Sequence, residues 1–361
     1  MAKGQENSIH NPAVVDISEV EVIAPNFKRR LSGVTSTIIQ LVPVQRALGC
    51  KVAALGPGLP DTIPHIRFRD LACLWRRPSS GRPRVWHARR NVEMLAGLVL
   101  RDVLRAPIKL LFTSAAQRSH SAYTRRLIRR MDAVVATSVR SGAFLDVPHT
   151  VIRHGVDLDR FHAGLGSEDT IEVTGLPGRY LVGCFGRVRH QKGTDLFVRA
   201  MIELLPSHPD WTAVVSGRVT PEHLGFADKL KAEITAAGLS ERIRFLGEVD
   251  DIKPWYRRLT LYVAPSRNEG FGLTPLEAMA SKTAVVASDA GAYAEMIVPG
   301  KTGLCVPADD YTALRDAIST YLADPARTAM NAEAGLQHVT ETFALENEAR
   351  SLIHIYETLA D

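Results

Sequence analysis

Cysteine is scarce in this chain and never paired in sequence: Cys50, Cys73, Cys184 and Cys305 stand far apart, with no CxxC element. That spacing argues against a zinc cluster and a disulfide framework and fits a reducing, cytoplasmic compartment. Each thiol reads as a small buried hydrophobe rather than a nucleophile. Long apolar runs are missing too. No segment approaches the roughly 18 uninterrupted apolar residues of a membrane span. Residues 1–16 are polar and aperiodic, without the apolar stretch of a signal peptide. Neither of two familiar nucleotide motifs is present. The first strand candidate runs into Pro25-Asn26-Phe27-Lys28-Arg29-Arg30, not GxGxxG, which argues against a dinucleotide cofactor. The stretch Gly186-Arg187-Val188-Arg189-His190-Gln191-Lys192-Gly193 has Gln191 where a P-loop needs its second glycine and Gly193 where it needs a hydroxyl, so ATP hydrolysis is not supported.

What is present is enough for two hydrophobic cores, since the chain has 361 residues, 45% of them hydrophobic. The formal charge of +5 is unevenly placed. Arg67, Arg69, Arg76, Arg77, Arg82, Arg84, Arg89 and Arg90 crowd one stretch, and Arg125, Arg126, Arg129 and Arg130 follow. Such clusters bind phosphates of lipid headgroups or of an anionic acceptor, or simply form a solvated basic face. No aromatic ladder accompanies them, which disfavours nucleic acid.

Short β-rich runs alternate with amphipathic helical segments along nearly the whole chain, the pattern of parallel sheets covered by helices. Strands are expected at 20–24, 52–55, 85–87, 110–112, 133–136 and 151–152, with helices at 34–48, 92–104 and 122–131. A second series has strands at 181–185, 213–216, 243–246, 261–264, 284–287 and 304–306. Its helices are expected at 195–205, 227–237, 253–259, 275–280 and 311–322. The chain therefore divides into a flexible tail (1–17), a first Rossmann-like α/β domain (18–162), a linker (163–178), a second such domain (179–344) and a last helix (345–361) that has no strand to serve and is free to pack across the boundary. Ligands of open parallel sheets bind beyond the strands' carboxyl ends, and two facing domains make the cleft between them the expected site.

Two loops that follow strands carry the chemistry. Arg187 ends one strand and Lys192 precedes the next helix, a guanidinium and an ammonium suited to a diphosphate beside a helix N-terminus. The other loop reads Pro265-Ser266-Arg267-Asn268-Glu269-Gly270-Phe271-Gly272-Leu273-Thr274-Pro275-Leu276-Glu277. Gly270 and Gly272 permit close backbone approach to a ligand. Thr274 to Glu277 has the form of a capping box, a purely structural reason for Glu277. Glu269 has no such local reason, and its carboxylate suits sugar hydroxyl donors.

Glu269 and Glu277, seven residues apart around Gly270-Phe271-Gly272-Leu273, resemble the EX7E signature of retaining GT-B glycosyltransferases, particularly glycosyltransferase family 4. Gly186-Arg187 with Lys192-Gly193 resembles that family's diphosphate-binding pair. His154-Gly155-Val156-Asp157 through Phe161 resembles its interdomain segment. The likeness extends from about Ser32 to the end of the chain. It implies that Arg187 and Lys192 hold the donor diphosphate, Glu277 the ribose and Glu269 the transferred sugar, with loop contacts from Phe271, Gly272 and Leu273. Gly33, after Leu31-Ser32, would reach the donor phosphates, and Gly247 to Val249 would line the nucleobase pocket. Asp157-Leu158-Asp159 mimics a metal-binding DxD, but the resemblance implies that Arg and Lys neutralise the diphosphate and that no metal or other cofactor is needed. Many relatives place a histidine after a strand of the first domain. Here Thr113-Ser114-Ala115 follows the strand instead, which leaves His120 as the candidate for a polar contact to sugar or phosphate and His87 as the alternative.

Trp86-His87-Ala88-Arg89-Arg90-Asn91-Val92-Glu93-Met94, with the arginines around it, is similar to mannosyltransferases of bacterial lipopolysaccharide core assembly. This implies a GDP-mannose donor, an anionic lipid-linked oligosaccharide acceptor and peripheral contact with the cytoplasmic face of the inner membrane through the basic first domain. A UDP-sugar-dependent transferase, a nucleotide-sugar 2-epimerase and a non-catalytic sensor share the same fold and diphosphate site.

Overall fold

Val52, Ala53, Ala54 and Leu55 are each completely buried, as residues of a strand covered on both faces must be. In the computed structural model, which describes residues 14–29 and 33–361, such runs assemble into two wholly parallel sheets. Most of the expected N-terminal tail, together with Leu31 and Ser32, lies outside the described residues. The first sheet comprises β1 (Val22–Pro25), β2 (Val52–Leu55), β3 (His65–Ile66), β4 (Arg84–Ala88), β5 (Ile108–Ser114), β6 (Ala133–Ala136) and β7 (Thr150–Val151), in the order β3-β2-β1-β4-β5-β6-β7. The second comprises β8 (Tyr180–Phe185), β9 (Trp211–Ser216), β10 (Ile243–Gly247), β11 (Leu261–Ala264), β12 (Ala284–Ser288) and β13 (Leu304–Val306), ordered β10-β9-β8-β11-β12-β13. Both orders reverse direction once, between β1 and β4 and between β8 and β11, and ligands bind at such switch points. The loops after β8 and β11, which hold Arg187, Lys192 and Glu269, are therefore neighbours.

Every strand expected from the alternation is present; β3, with two residues, was not anticipated, nor was the helix Pro325–Thr342. The helix expected over 92–104 is two pieces, an α-helix Asn91–Leu98 running into a π-helical turn Val99–Val103. Cys73 is exposed and Cys50 and Cys305 are half-buried, so only Cys184 is the fully buried hydrophobe expected of all four. Burial pushes the Cys184 thiol up to about 12.

The last helix, Leu345–Ala360, buries Leu345, Ala349, Leu352 and Tyr356 against Ile38, Leu41 and Val42 of the helix Gly33–Ala47 in the first half of the chain. Two crossings between the halves run side by side: Val156 forms a parallel bridge with Ala344, and a Cβ on Gly155 would stand 2.6 Å from the Leu345 Cα. The segment 163–178 is folded back on the second half, where Asp169 accepts a 2.6 Å hydrogen bond from Arg257. Arg84, counted from sequence among the basic cluster, is buried and donates to the carbonyls of Ile17, Val20, Leu74 and Arg76. It holds the 67–83 excursion to the sheet.

Candidate active site

Gly193 has φ +70°, and a Cβ there would stand 1.9 Å from the Pro265 carbonyl oxygen. Only glycine lets the turn after β8 close so tightly on the loop after β11. The closure brings the Lys192 ammonium onto the Glu269 carboxylate, 77 residues further along the chain. Glu269 Oε1 also accepts from Ser266 Oγ at 3.1 Å and from Tyr293 OH at 3.4 Å. Burial raises the Tyr293 phenol far above its ordinary range, so it remains a donor. Arg267 staples the loop from below, forked on Asp195 at 2.8 and 2.9 Å and bound to Asp309 at 2.6 Å. A second required glycine, Gly272 at φ +83°, turns the backbone over the Tyr293 ring, 2.4 Å from where a Cβ would lie.

Glu277 is not held as the sequence pattern suggests. The helix Thr274–Ala280 has Leu273 at its N-cap, no side chain caps it, and the Thr274 hydroxyl lies 3.4 Å from Tyr293 OH. The capping box is therefore absent, because tertiary partners take both of its members. Glu277 Oε2 instead accepts from Tyr256 OH at 2.9 Å. Burial raises its pKa, against the hydrogen bond from Tyr256 and the charges of Arg160 and Lys192. Beneath it Tyr256 packs among Phe161, Phe185 and Tyr262, a rigid aromatic floor.

Lys192, Glu269, Gly270, Phe271, Gly272 and Leu273 line a cavity of about 980 Å³ whose opposite wall comes from the first half of the chain. Gly33 and His120 lie in that wall. The cleft narrows where Ala115 O comes 3.7 Å from the Cβ position of Gly270. His120 Nε2 is 3.3 Å from Ser114 Oγ. Its pKa is lowered by burial and by Arg118 and Arg125, against the charge of Asp146. His87 does not line this cavity. It is buried between Thr113 Oγ1 at 2.7 Å and Tyr356 OH at 2.8 Å, and burial drives its pKa well below 6.5. It is a fastener for the last helix.

Four other expected residues lie outside this cavity. Arg187 is exposed just past β8, and Glu277 sits behind the loop. Gly247 ends β10, where its carbonyl accepts from Ser216 Oγ at 3.1 Å, and Val249 follows. A Cβ on Gly217 would meet Gly186 O at 1.9 Å. Gly247, Gly217 and Arg187 thus adjoin along the carboxyl ends of β10, β9 and β8. Asp157 of the DxD pattern accepts from the backbone N–H of Asp159 and Arg160, both at 3.1 Å, capping its own turn.

Sequence reasoning missed His154 and Arg89 as wall residues. His154 Nδ1 is 2.7 Å from Glu348 Oε1, and its ring meets Phe271 edge-on at 4.9 Å. A carboxylate only accepts, so Nδ1 carries the hydrogen. Glu348 Oε2 takes the Gly155 N–H at 2.8 Å. His154 stood in a recognised motif, whereas Glu348 carried no signal.

The model of the family described as glycosyl transferases group 1 matches residues 167–337. A lipopolysaccharide core biosynthesis mannosyltransferase of Rhizobium leguminosarum bv. viciae is 70% identical over 344 residues, covering 95% of this chain and 98% of that one. Another, from Rhizobium meliloti (strain 1021), is 57% identical over 96% of this chain and 99% of its own. Anabaena HepE, solved in complex with UDP, superposes with a TM-score of 0.80 at 20% identity, over 94% of this chain and 100% of that one, which bears on the two-domain GT-B fold alone.

Proposed function

From its membership of the group 1 glycosyl transferase family, we propose that this chain is a retaining α-mannosyltransferase that moves mannose from GDP-mannose to a lipopolysaccharide-core acceptor. The observation that carries the reading is the Lys192–Glu269 contact at the wall of the interdomain cavity, on a loop with the EX7E spacing. The identity to two core mannosyltransferases over nearly full length supports the sugar and the pathway.

In the mechanism we infer, Lys192 and Arg187 carry the donor diphosphate, with Gly33 at the phosphates, Gly247 to Val249 at the base and Glu277 at the ribose. Lys192 is paired with the Glu269 carboxylate. An arriving diphosphate offers it a stronger anion, which leaves Glu269 to accept hydrogen bonds from the sugar. As the sugar–phosphate bond breaks, negative charge grows on the departing diphosphate, which preorganised cations stabilise electrostatically. The leaving phosphate takes the acceptor hydroxyl's proton, and attack from the same face retains configuration. The diphosphate is held by cations of the chain, without a metal. The enzyme would work at the cytoplasmic face of the inner membrane, where an anionic lipid-linked acceptor is presented.

A screen of nucleotide sugars tests this, following nucleotide release with and without lipopolysaccharide-core acceptor. Acceptor-dependent release of GDP from GDP-mannose is the expected result. Turnover of a UDP-sugar alone would remove the mannose assignment. Consumption without acceptor would favour an epimerase, and binding without turnover a sensor.

A further inference from the structure

β6 lies beside β5 and β12 beside β11, the two strands whose loops line the cavity from opposite sides. After β6 the chain forms the one-turn helix Val139–Gly142, and after β12 the one-turn helix Tyr293–Met296. Glu295 joins the two. Its Oε2 accepts the Val139 N–H and its Oε1 the Arg140 N–H, each at 3.0 Å, and Arg153 Nε donates to Oε2 at 3.2 Å. Arg140 returns the contact: Nη2 donates to Asp289 Oδ2 at 3.0 Å, and Nη1 to the carbonyls of Asp289 and Gly291, both at 3.2 Å. Isolated surface ion pairs contribute little, because long side chains give up rotamers to hold one geometry. Here backbone groups of both halves are partners to the charges, and they fix direction and distance on each side.

The segment that Glu295 closes is also the support of the Glu269 loop. Gly291, at φ +63°, leaves no room for a side chain, since a Cβ would stand 2.7 Å from both Glu269 Cβ and Phe271 O. The Ala292 N–H donates to Phe271 O at 3.0 Å, and Tyr293 OH reaches Glu269 Oε1 at 3.4 Å. Glu269 therefore rests on residues 291–293, and the first half of the chain pins that same segment from beyond. A group that must meet a sugar held between two walls has to be placed relative to both, and a misplacement of about 1 Å can cost a hundredfold in rate.

We propose that Glu295 and Arg140 form a clasp that sets the spacing of the two cavity walls and, through Gly291 and Tyr293, fixes Glu269 between them. Glu295 does not line the cavity, so it acts as a positioning residue and touches no substrate. The effect on catalysis rests on the proposed transferase reading; the clasp itself does not.

Steady-state kinetics, GDP binding and thermal melts of Glu295→Ala and Arg140→Ala test the positioning role. Arg140 is 42% exposed along its side chain, so its removal is the milder disturbance to folding. Each variant should lower kcat ~tenfold or more while the Kd for GDP stays near the wild-type value. A residue that only stabilised the fold would lower the melting temperature and leave kcat unchanged well below it. The double variant Glu269→Gln/Glu295→Ala separates a route through Glu269 from an independent one. It should be little slower than Glu269→Gln alone, because losses that pass through one group overlap. Unchanged kcat in both single variants, GDP binding lost in parallel with kcat, or losses that multiply in the double variant would each overturn the proposal. Small-angle X-ray scattering reads the clasp with no substrate present. The radius of gyration should rise in Glu295→Ala/Arg140→Ala, and a profile identical to the wild type would refute the clasp. Should the wild type turn over no nucleotide sugar, the transferase reading fails while the scattering result still decides whether the clasp holds the walls.

Discussion

Glu269 lies in the loop after β11 and Glu277 in the helix that follows it, and their surroundings separate them. Glu269 is poised beside a cation and two hydroxyls, whereas Glu277 lies against Tyr256 with its pKa raised by burial. Glu269→Gln keeps the shape but removes the charge facing Lys192. It should lower kcat by about tenfold to a hundredfold, the scale of one preorganised electrostatic contact or somewhat less. Glu277→Ala should act on donor KM first, because ribose contacts are made in ground and transition states alike. Steady-state kinetics with varied donor separates the two, and an unchanged KM in Glu277→Ala would refute the ribose role. Local sequence was informative here only in part. Thr274-Pro275-Leu276-Glu277 has the spacing of a capping box, yet Tyr293 and Tyr256, from two other helices, claim its hydroxyl and carboxylate. A residue with a local alibi can still be recruited by tertiary structure.

At the scale of elements, the last helix governs the first half of the cleft. His87 on β4, Gln45 on the helix Gly33–Ala47 and Tyr356 meet in a buried polar knot, with Gln45 Nε2 3.2 Å from Tyr356 OH. Tyr356→Phe strips the shared hydroxyl and should destabilise by about 1–3 kcal/mol, the cost of leaving buried polar atoms unpaired. Chemical denaturation measures this. His87 has a folded pKa depressed below the unfolded value, so the folded state favours its neutral form. Stability from this group is full above the unfolded pKa and is lost as pH falls below about 6.5. His87→Gln should therefore show a shallower fall in melting temperature between neutral and mildly acidic pH than the wild type. An identical slope would show that His87 titrates normally. Helices and strands with large apolar residues at regular spacing were legible in sequence. Pro325–Thr342 was not, because among the residues it buries, Thr328, Asn331, Ala332, Gly335 and Val339, only Val339 is a large hydrophobe, which leaves no periodic hydrophobic mark. The two residues of β3 are too few to show alternation.

Across the whole molecule, alternation of strands and helices announced two parallel sheets, and the loops after β8 and β11 could be named as chemical before they were seen side by side. What sequence did not show is how the halves are tied. Glu348 reaches His154 from 194 residues away, and no spacing rule links them. Through that contact the final helix sets a ring that touches both the cavity and Phe271. Glu348→Gln should lower kcat several-fold with little change in donor KM, since the ring loses its orientation while the donor loop stays intact. Loss of donor affinity instead would place Glu348 in the binding of the nucleotide sugar. Donor binding is itself measurable as stabilisation: at a hundred times its Kd, GDP-mannose should add about 2.7 kcal/mol to folding, a shift visible in a thermal melt and absent with a sugar phosphate that lacks the nucleoside.

The central claim is that Arg187 and Lys192 stabilise the departing diphosphate, and the most direct measurement is kcat for GDP-mannose and a lipopolysaccharide-core acceptor in Arg187→Ala and Lys192→Ala. Each should fall by roughly a hundredfold to a thousandfold, the loss found when one transition-state charge partner is removed, with melting temperatures near the wild type. Near-normal kcat in both variants would contradict the account.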